Sequence, residues 1–301
     1  IIDESDGAHS HGPYNPIRGA RVINYGRSLL DQCIPLAGLS HTEVTRYAVV
    51  ADHFVAFAGD SHYDLENPDA FKGWQGAQDS PEALLFEHNS LNLIIRFDDS
   101  AVAKDDIAGV SDIVLESALT AIQDCEDSVA AVDGEDKALA YRNWLGLMRG
   151  DLQETVVKGD KTITRKLADD LQFIGENGEF SLKGTSLLFV RNVGHLMATP
   201  AVLFNGEPMQ EGLLDALVTV VSALHDLARP EAQRNSRAGS VYVVKPKMHG
   251  AQEVRLTVDL FAHVEQQLGL APNTVKLGIM DEERRTSVNL AACIYEARDR
   301  V

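Results

Sequence analysis

The stretch Ser186-Leu187-Leu188-Phe189-Val190-Arg191-Asn192-Val193-Gly194-His195 is an apolar run of strand length that ends abruptly in a cation. Alternation at period two puts Leu187, Phe189 and Arg191 on one face and Leu188 and Val190 on the other. Both faces are apolar, which predicts a strand covered on both sides, as in a parallel sheet. Arg191 then stands at the carboxyl end, where α/β sheets, open or closed, gather their chemistry. Three further segments repeat the plan. Residues 120–127 end in Asp124, Glu126 and Asp127, residues 241–247 in Lys245 and Lys247, and residues 275–285 in a run of carboxylates followed by Arg284 and Arg285. A helical pattern follows each. Four βα units with charged tips at one end predict a single rim.

The chain has 301 residues, room for one large domain or two ordinary ones, and its hydrophobic share of 45% supports a real core. A net charge of -18 argues against a general nucleic-acid or membrane binder, while leaving room for a local basic site for phosphates. No apolar run is long enough to span a bilayer, and the first residues lack the basic and apolar regions of a secretory signal. Cys33, Cys125 and Cys293 are widely spaced, match no metal motif and read as reduced thiols of a cytosolic protein. With no initiator Met and an end directly after a helical pattern, the chain reads as a piece of a longer one.

Residues 1–16, rich in Gly, His, Pro, Asp and Ser, read as loop. Residues 17–30 predict a helix with Ile17, Val22, Tyr25 and Leu29 on its apolar stripe and Arg18, Arg21 and Arg27 on a solvated face. Residues 48–57 predict a strand, and residues 83–87 and 91–97 a hairpin about His88-Asn89-Ser90. His53, His62 and His88 match no metal-ligand spacing. Residues 107–119 read as helix, as do 137–148. Residues 150–185 interrupt the βα rhythm with short strands at 162–165 and 171–174 and a turn at 175–178. Helices at 211–228, 252–268 and 286–297 follow the second, third and fourth charged-tip strands.

Period two places Thr120, Ile122, Asp124 and Glu126 on one face of the first of these strands, and Gly278, Met280 and Glu282 on one face of the last. Facing a barrel lumen, Asp124, Glu126, Arg191, Lys247 and Glu282 converge at its top, above lumen residues such as Ile122, Phe189, Val243 and Met280. Such a set suits a divalent cation with an anionic oxo-acid: carboxylates hold the cation, and the guanidinium neutralises charge developing on oxygen. The plainer reading is a ring of solvated strand ends, with residues 281–285 a salt-bridged surface run and residues 124–127 an acidic helix cap. Recurrence on four strands favours the functional reading. His195 and His249 read as structural.

Several long motifs carry a resemblance: residues 124–133, 141–148, 189–197, 244–250 and 278–286 resemble, in order, those of malate synthases of the G isoform. The resemblance runs over essentially the whole chain. It implies a (β/α)8 TIM barrel, here partial with about four βα units, carrying an α+β inserted domain. It assigns 1–116 to the first part of that domain, 117–150 to a first barrel unit, 151–185 to a β-rich excursion belonging to the inserted domain, and 186–301 to barrel units two to four. It implies a Mg²⁺-dependent enzyme of the glyoxylate cycle that condenses acetyl-CoA with glyoxylate and hydrolyses the product to malate and CoA, in a cytoplasmic and monomeric parent. By motif, Arg191 contacts glyoxylate and stabilises the acetyl enolate, Glu282 is a Mg²⁺ ligand, Asp124 and Glu126 lie beside the metal's water shell, and Ser128 and Arg165 contact acetyl-CoA. Family members are much longer, and their second metal-ligating Asp and their Asp base lie beyond the matching part, so the chain alone is expected to be inactive. The other readings are a Mg²⁺-dependent lyase of CoA thioesters like the citrate lyase β chain, and a non-enzymatic fragment.

Overall fold

The computed structural model describes residues 14–159 and 161–301, so most of the loop expected at residues 1–16 lies outside the described residues. The chain divides into two units. One runs to Ser117 and takes back Asp170–Lys183; the other holds Ala118–Asp169 and Gly184–Val301.

The second unit is built on a parallel sheet in the order Val275–Ile279, Val241–Lys245, Leu187–Arg191, Thr120–Asp124. Register places Asp124 opposite Arg191, Arg191 opposite Val244, and Lys245 opposite Ile279. The order is that expected of successive right-handed βα crossovers, the partial-barrel pattern. Helices Gly134–Arg149, Glu211–Leu227 and Ala251–Leu268 follow the first three strands. The first starts on the side chain of Asp133, which accepts from the backbone N–H groups of Glu135 and Asp136, and stops at Gly150 in the left-handed region at φ 73°. After the fourth strand the helix expected at residues 286–297 is two pieces, Arg284–Ser287 and Leu290–Ala297, because Asn289 leaves the helical region between them.

One face of this sheet packs under the helices: Val190, Val243, Val275 and Leu277 are buried with Trp144, Val220, Val254 and Phe261. Val243 was expected in the lumen and lies instead on the helix side. It pairs with Val190, while Tyr242 stacks on Phe189 at 5.3 Å, so the lumen residues of the third strand are Tyr242 and Val244. The same phase puts Lys245 on the helix side. The lumen face is open, and Ile122 on it is 52% exposed.

The first unit is antiparallel. Its six-stranded sheet has the order Gly178–Leu182, Leu171–Gly175, Phe71–Gly76, Pro81–His88, Leu91–Phe97, Val110–Leu115, and a three-stranded sheet joins Arg46–Val50, His53–Ala58 and Ser61–Tyr63. The His88 hairpin turns through Asn89 and Ser90, both at positive φ, as a tight turn matching the twist of the strands requires. The core gathers Leu30, Ile34, Tyr47, Phe54, Trp74, Leu84, Phe86 and Ile95.

Three expectations are corrected in this unit. Residues 107–119 contain the strand Val110–Leu115 rather than a helix: Gly109 adopts φ 74°, and Ile113 and Leu115 pair with Ile95 and Leu93. In the helix Pro16–Cys33 the stripe is shifted: Ile17, Val22 and Tyr25 are exposed, while Gly19, Arg27 and Leu30 are buried. Arg27 is therefore no solvated cation. The boundary of the excursion also differs. Residues 151–169 group with the parallel sheet, because the hairpin Gln153–Lys158/Lys161–Lys166 pairs only with itself, whereas Leu171–Leu182 joins the six-stranded sheet through Ile174 and Trp74.

Candidate active site

Strand register makes the rim. Because Asp124 and Arg191 end adjacent parallel strands in register, their side chains meet face to face: Arg191 Nε donates to Asp124 Oδ1 at 2.8 Å and Nη2 to Oδ2 at 2.5 Å. Asp124 also accepts from the backbone N–H of Glu126 (2.9 Å) and of Ser128 (2.7 Å), and from the Ser128 hydroxyl. Burial alone would raise the Asp124 pKa, but the hydrogen bonds from Arg191 and Ser128 outweigh it and hold this carboxyl well below the usual range. The same bond, against the opposing effect of burial, holds the Arg191 guanidinium more firmly protonated than usual.

The third nitrogen of the Arg191 guanidinium, Nη1, is held more loosely than the other two. Among the described residues, Nη1 reaches only the sulfur of Met280 at 4.0 Å and Glu126 Oε2 at 3.9 Å. The rim continues through Glu126, whose Oε1 accepts from the Gly194 N–H at 3.3 Å and whose Oε2 lies 3.1 Å from Lys247 Nζ. Lys247 Nζ also donates to Asp127 at 3.0 Å, and its backbone N–H donates to Glu282 Oε1 at 2.7 Å. That N–H is aimed by the left-handed conformation of Lys247, φ 51°, unusual for a residue with a side chain. Desolvation lowers the Lys247 pKa, but its bonds to Asp127 and Glu126 raise it more.

The structure thus brings together Asp124, Glu126, Ser128, Arg191, Lys247 and Glu282. It does not bring Arg165 to them: Arg165 lies exposed on the strand Lys161–Lys166, opposite Glu154. His195 Nε2 sits 2.9 Å from Thr257 Oγ1, packed against the Ala251–Leu268 helix, and His249 Nε2 sits 3.7 Å from Glu283.

This rim by itself does not complete a site for a divalent cation. Among the described residues no group of three or more His, Cys, Asp and Glu side chains is arranged to hold a metal ion. The hydrogen bonding explains this: Asp124 spends both oxygens on Arg191 and the Ser128 loop, Glu126 faces Lys247, and Glu282 lends an oxygen to a backbone N–H. Of Asp124, Glu126 and Glu282, it is Glu282 that is exposed, with coordination to spare.

Beneath the rim lies a buried polar layer absent from the sequence-based site: Lys137, Glu211, Asp215 and Lys245. A signal for it exists. Glu211, Asp215, Thr219, Ser222 and Asp226 fall at helical spacing along an otherwise apolar helix, a polar stripe facing inward.

The family description "Malate synthase, TIM barrel domain" matches residues 187–301, the stretch holding Arg191, Lys247 and Glu282. "Malate synthase G, alpha-beta insertion domain" matches residues 14–88. Malate synthase G of Corynebacterium efficiens is 51% identical over the full chain, and that of Halalkalibacterium halodurans 49%. The chain belongs to the malate synthase G family. It spans 40 to 42% of the length of these curated relatives. A malate synthase of Myxococcus xanthus is more distant, 27% identical over 48% of the chain. Asp124, Glu126, Ser128 and Arg165 fall outside both matched domain stretches of the family and inside the full-chain similarity to its G-type members.

Proposed function

We propose that the full-length protein carrying this chain is a malate synthase, joining acetyl-CoA to glyoxylate and hydrolysing the malyl thioester to malate and CoA. The observation that carries this reading is Arg191: a guanidinium gripped through two nitrogens by Asp124, with Nη1 making only long contacts, to Met280 and Glu126, at a sheet's carboxyl end. When a proton leaves the thioester methyl, charge accumulates on the thioester oxygen. A preset donor at that oxygen lowers the barrier without reorganising during the step. The enolate carbon then attacks the glyoxylate aldehyde, forming the carbon–carbon bond, and water cleaves the thioester. In this reading Asp124 and Glu126 are the anions that orient Arg191 and Lys247, and the proton is taken by a group other than these. Ser128 and Arg165 would meet acetyl-CoA, Ser128 from the loop that hydrogen-bonds Asp124. Mg²⁺ enters only through Glu282, as one carboxylate ligand, and would polarise the aldehyde when bound.

In this reading the protein works in the cytoplasm. Its cysteines are all free, and no helix among the described residues is long and apolar enough to cross a membrane. The test is thiol release from acetyl-CoA in the presence of glyoxylate and Mg²⁺ with the full-length protein, together with chromatographic detection of malate. Cleavage of malyl-CoA to acetyl-CoA and glyoxylate without malate formation would replace this reading with a lyase. Calorimetric titration of Mg²⁺ into wild type and Glu282→Gln tests the metal separately; equal binding would remove Glu282 from it.

A further inference from the structure

The turn that follows Arg191 is held at every peptide by a different neighbour. The Arg191 carbonyl accepts from the Cys125 N–H at 3.0 Å, and the Asn192 N–H donates to the Val244 carbonyl at 3.0 Å, extending the ladders on both sides. The Val193 N–H donates to Asp215 Oδ2 at 2.8 Å, and the Val193 carbonyl accepts from Lys245 Nζ at 2.6 Å. Gly194 N–H reaches Glu126. Both polar groups of Val193 are thus taken by buried charged side chains, one from the helix after its own strand and one from the end of the next strand.

These charges are kept in an environment that disfavours them. Asp215 and Lys245 have no exposed surface. Asp215 also faces Lys137 Nζ at 2.8 Å and accepts from the Tyr141 hydroxyl at 2.6 Å, and Lys137 Nζ lies 2.5 Å from Glu211. Burial raises the Tyr141 pKa, and the Asp215 charge raises it further. Lys245 is pushed down to about 8, chiefly by burial, with the Lys137 charge adding to the push against Asp215 and Glu126. Its ammonium packs against residue 212, which has no side chain: a Cβ on Gly212 would fall 2.7 Å from Nζ, so the ammonium would have to move. An apolar set of equal volume would serve stability as well or better, since buried charges recover little of their lost hydration. What charges supply and apolar groups do not is fixed direction at two backbone atoms of one residue, in the two peptides that flank its Cα.

We propose that Asp215 and Lys245 are positioning residues for Arg191, clamping the Val193 backbone from both sides and so setting where the guanidinium stands against Asp124 and Glu126. The part Arg191 plays rests on the reading given above; the clamp does not. The test uses the full-length protein with Lys245→Met, which keeps length and loses the donor. Asp215→Asn, which keeps an acceptor, is compared with Asp215→Ala. Glu265→Gln is the control, because it breaks a buried ion pair with Arg300 beside the start of the last strand, away from the turn. A displaced catalytic group costs about 10²-fold. Lys245→Met is expected to lower kcat per folded enzyme by about that factor with KM for acetyl-CoA within about threefold. Asp215→Asn should retain more kcat than Asp215→Ala, and Glu265→Gln should lower Tm with kcat unchanged. Site-resolved amide exchange should quicken at Val193 and Gly194 by roughly tenfold or more in Lys245→Met and not at Trp144. If Lys245→Met does not fold, Gly212→Ala keeps the lysine and displaces its ammonium, and the same pattern is expected. Unchanged kcat per folded enzyme, or unchanged exchange at Val193, overturns the proposal. If wild type makes no malate, the functional reading fails, and exchange at Val193 still decides the clamp.

Discussion

Each unit contains an arginine held side-on by an aspartate, and the two pairs differ in what is left over. In the antiparallel unit Arg27 Nε donates to Asp106 Oδ2 at 2.9 Å and Nη2 to Oδ1, while Nη1 is taken by the His41 carbonyl at 3.0 Å and the Tyr47 hydroxyl at 2.7 Å. Asp106 in turn accepts from the backbone N–H groups of Ala108 and Val110. The side chains are 3% and 2% exposed, and each nitrogen of the guanidinium has an oxygen partner. In the parallel unit the Arg191–Asp124 pair is 14% and 8% exposed, and Nη1 meets only a distant sulfur and a carboxylate at 3.9 Å. The same two residue types therefore build a closed fastening in one unit and an open donor in the other. The closed pair ties a helix to the turn before Val110–Leu115; an open pair at the carboxyl end of a parallel sheet has capacity for a substrate oxygen.

The largest effect on stability is expected from the closed pair. Arg27→Met strands Asp106 in a buried site, and breaking such a pair costs about 3–5 kcal/mol. Each unit carries one tryptophan, Trp74 in the first and Trp144 in the second, so urea unfolding followed in single-tryptophan backgrounds assigns the loss to a unit. A loss below about 1 kcal/mol in the Trp74 transition would erase the distinction between the two pairs. A smaller effect is expected on acidification. Asp124 ionises in the fold well below its ordinary value of 3.8, so below that value the unfolded chain takes up the proton first. Stability from this pair is then full above pH 3.8 and is lost as pH falls toward the folded-state pKa. The Trp144-reported stability should drop through this window, and Asp124→Asn should flatten the slope; an unchanged slope would place the pair in solvent. The smallest effect is expected at exposed Arg165. Arg165→Ala should leave unfolding within about 0.5 kcal/mol. If Arg165 contacts the CoA moiety, KM for acetyl-CoA should rise roughly two- to fivefold, the yield of a single exposed charge contact. An unchanged KM would remove Arg165 from the site.

Strands that end in charge were readable because both signals sit in one short window. Thr120–Asp124, Leu187–Arg191 and Val241–Lys245 each end in the structure on one of the charged residues that mark their tips, and the fourth strand ends at Ile279, just before its run of carboxylates. Their order followed from crossover handedness, and Asp124 met Arg191 because the register is in phase. What failed needed information from far along the chain. Arg27 looks solvated on a helical wheel, and only Asp106, 79 residues away, makes its burial tolerable. Val110–Leu115 shows helical spacing in isolation and becomes a strand because the edge of Leu91–Phe97 is there to pair with. The phase of the Val241–Lys245 strand was misread at Val243 because apolar residues occupy both faces, so alternation carries no sign. Lys245 was hidden by the same ambiguity, and its partner at Val193 is a backbone group that no side-chain pattern announces.

Steady-state kinetics of Arg191→Lys in the full-length protein tests most directly whether the open pair is the working one. Lysine keeps the charge and loses the planar fork that grips Asp124 on two nitrogens while a third makes only long contacts. The account predicts that kcat for malate formation falls about 10²-fold or more, with the Trp144 unfolding transition displaced by no more than about 1–3 kcal/mol. An unaltered kcat, or a protein that unfolds outright, would contradict it and make Arg191 a fastening of the same kind as Arg27.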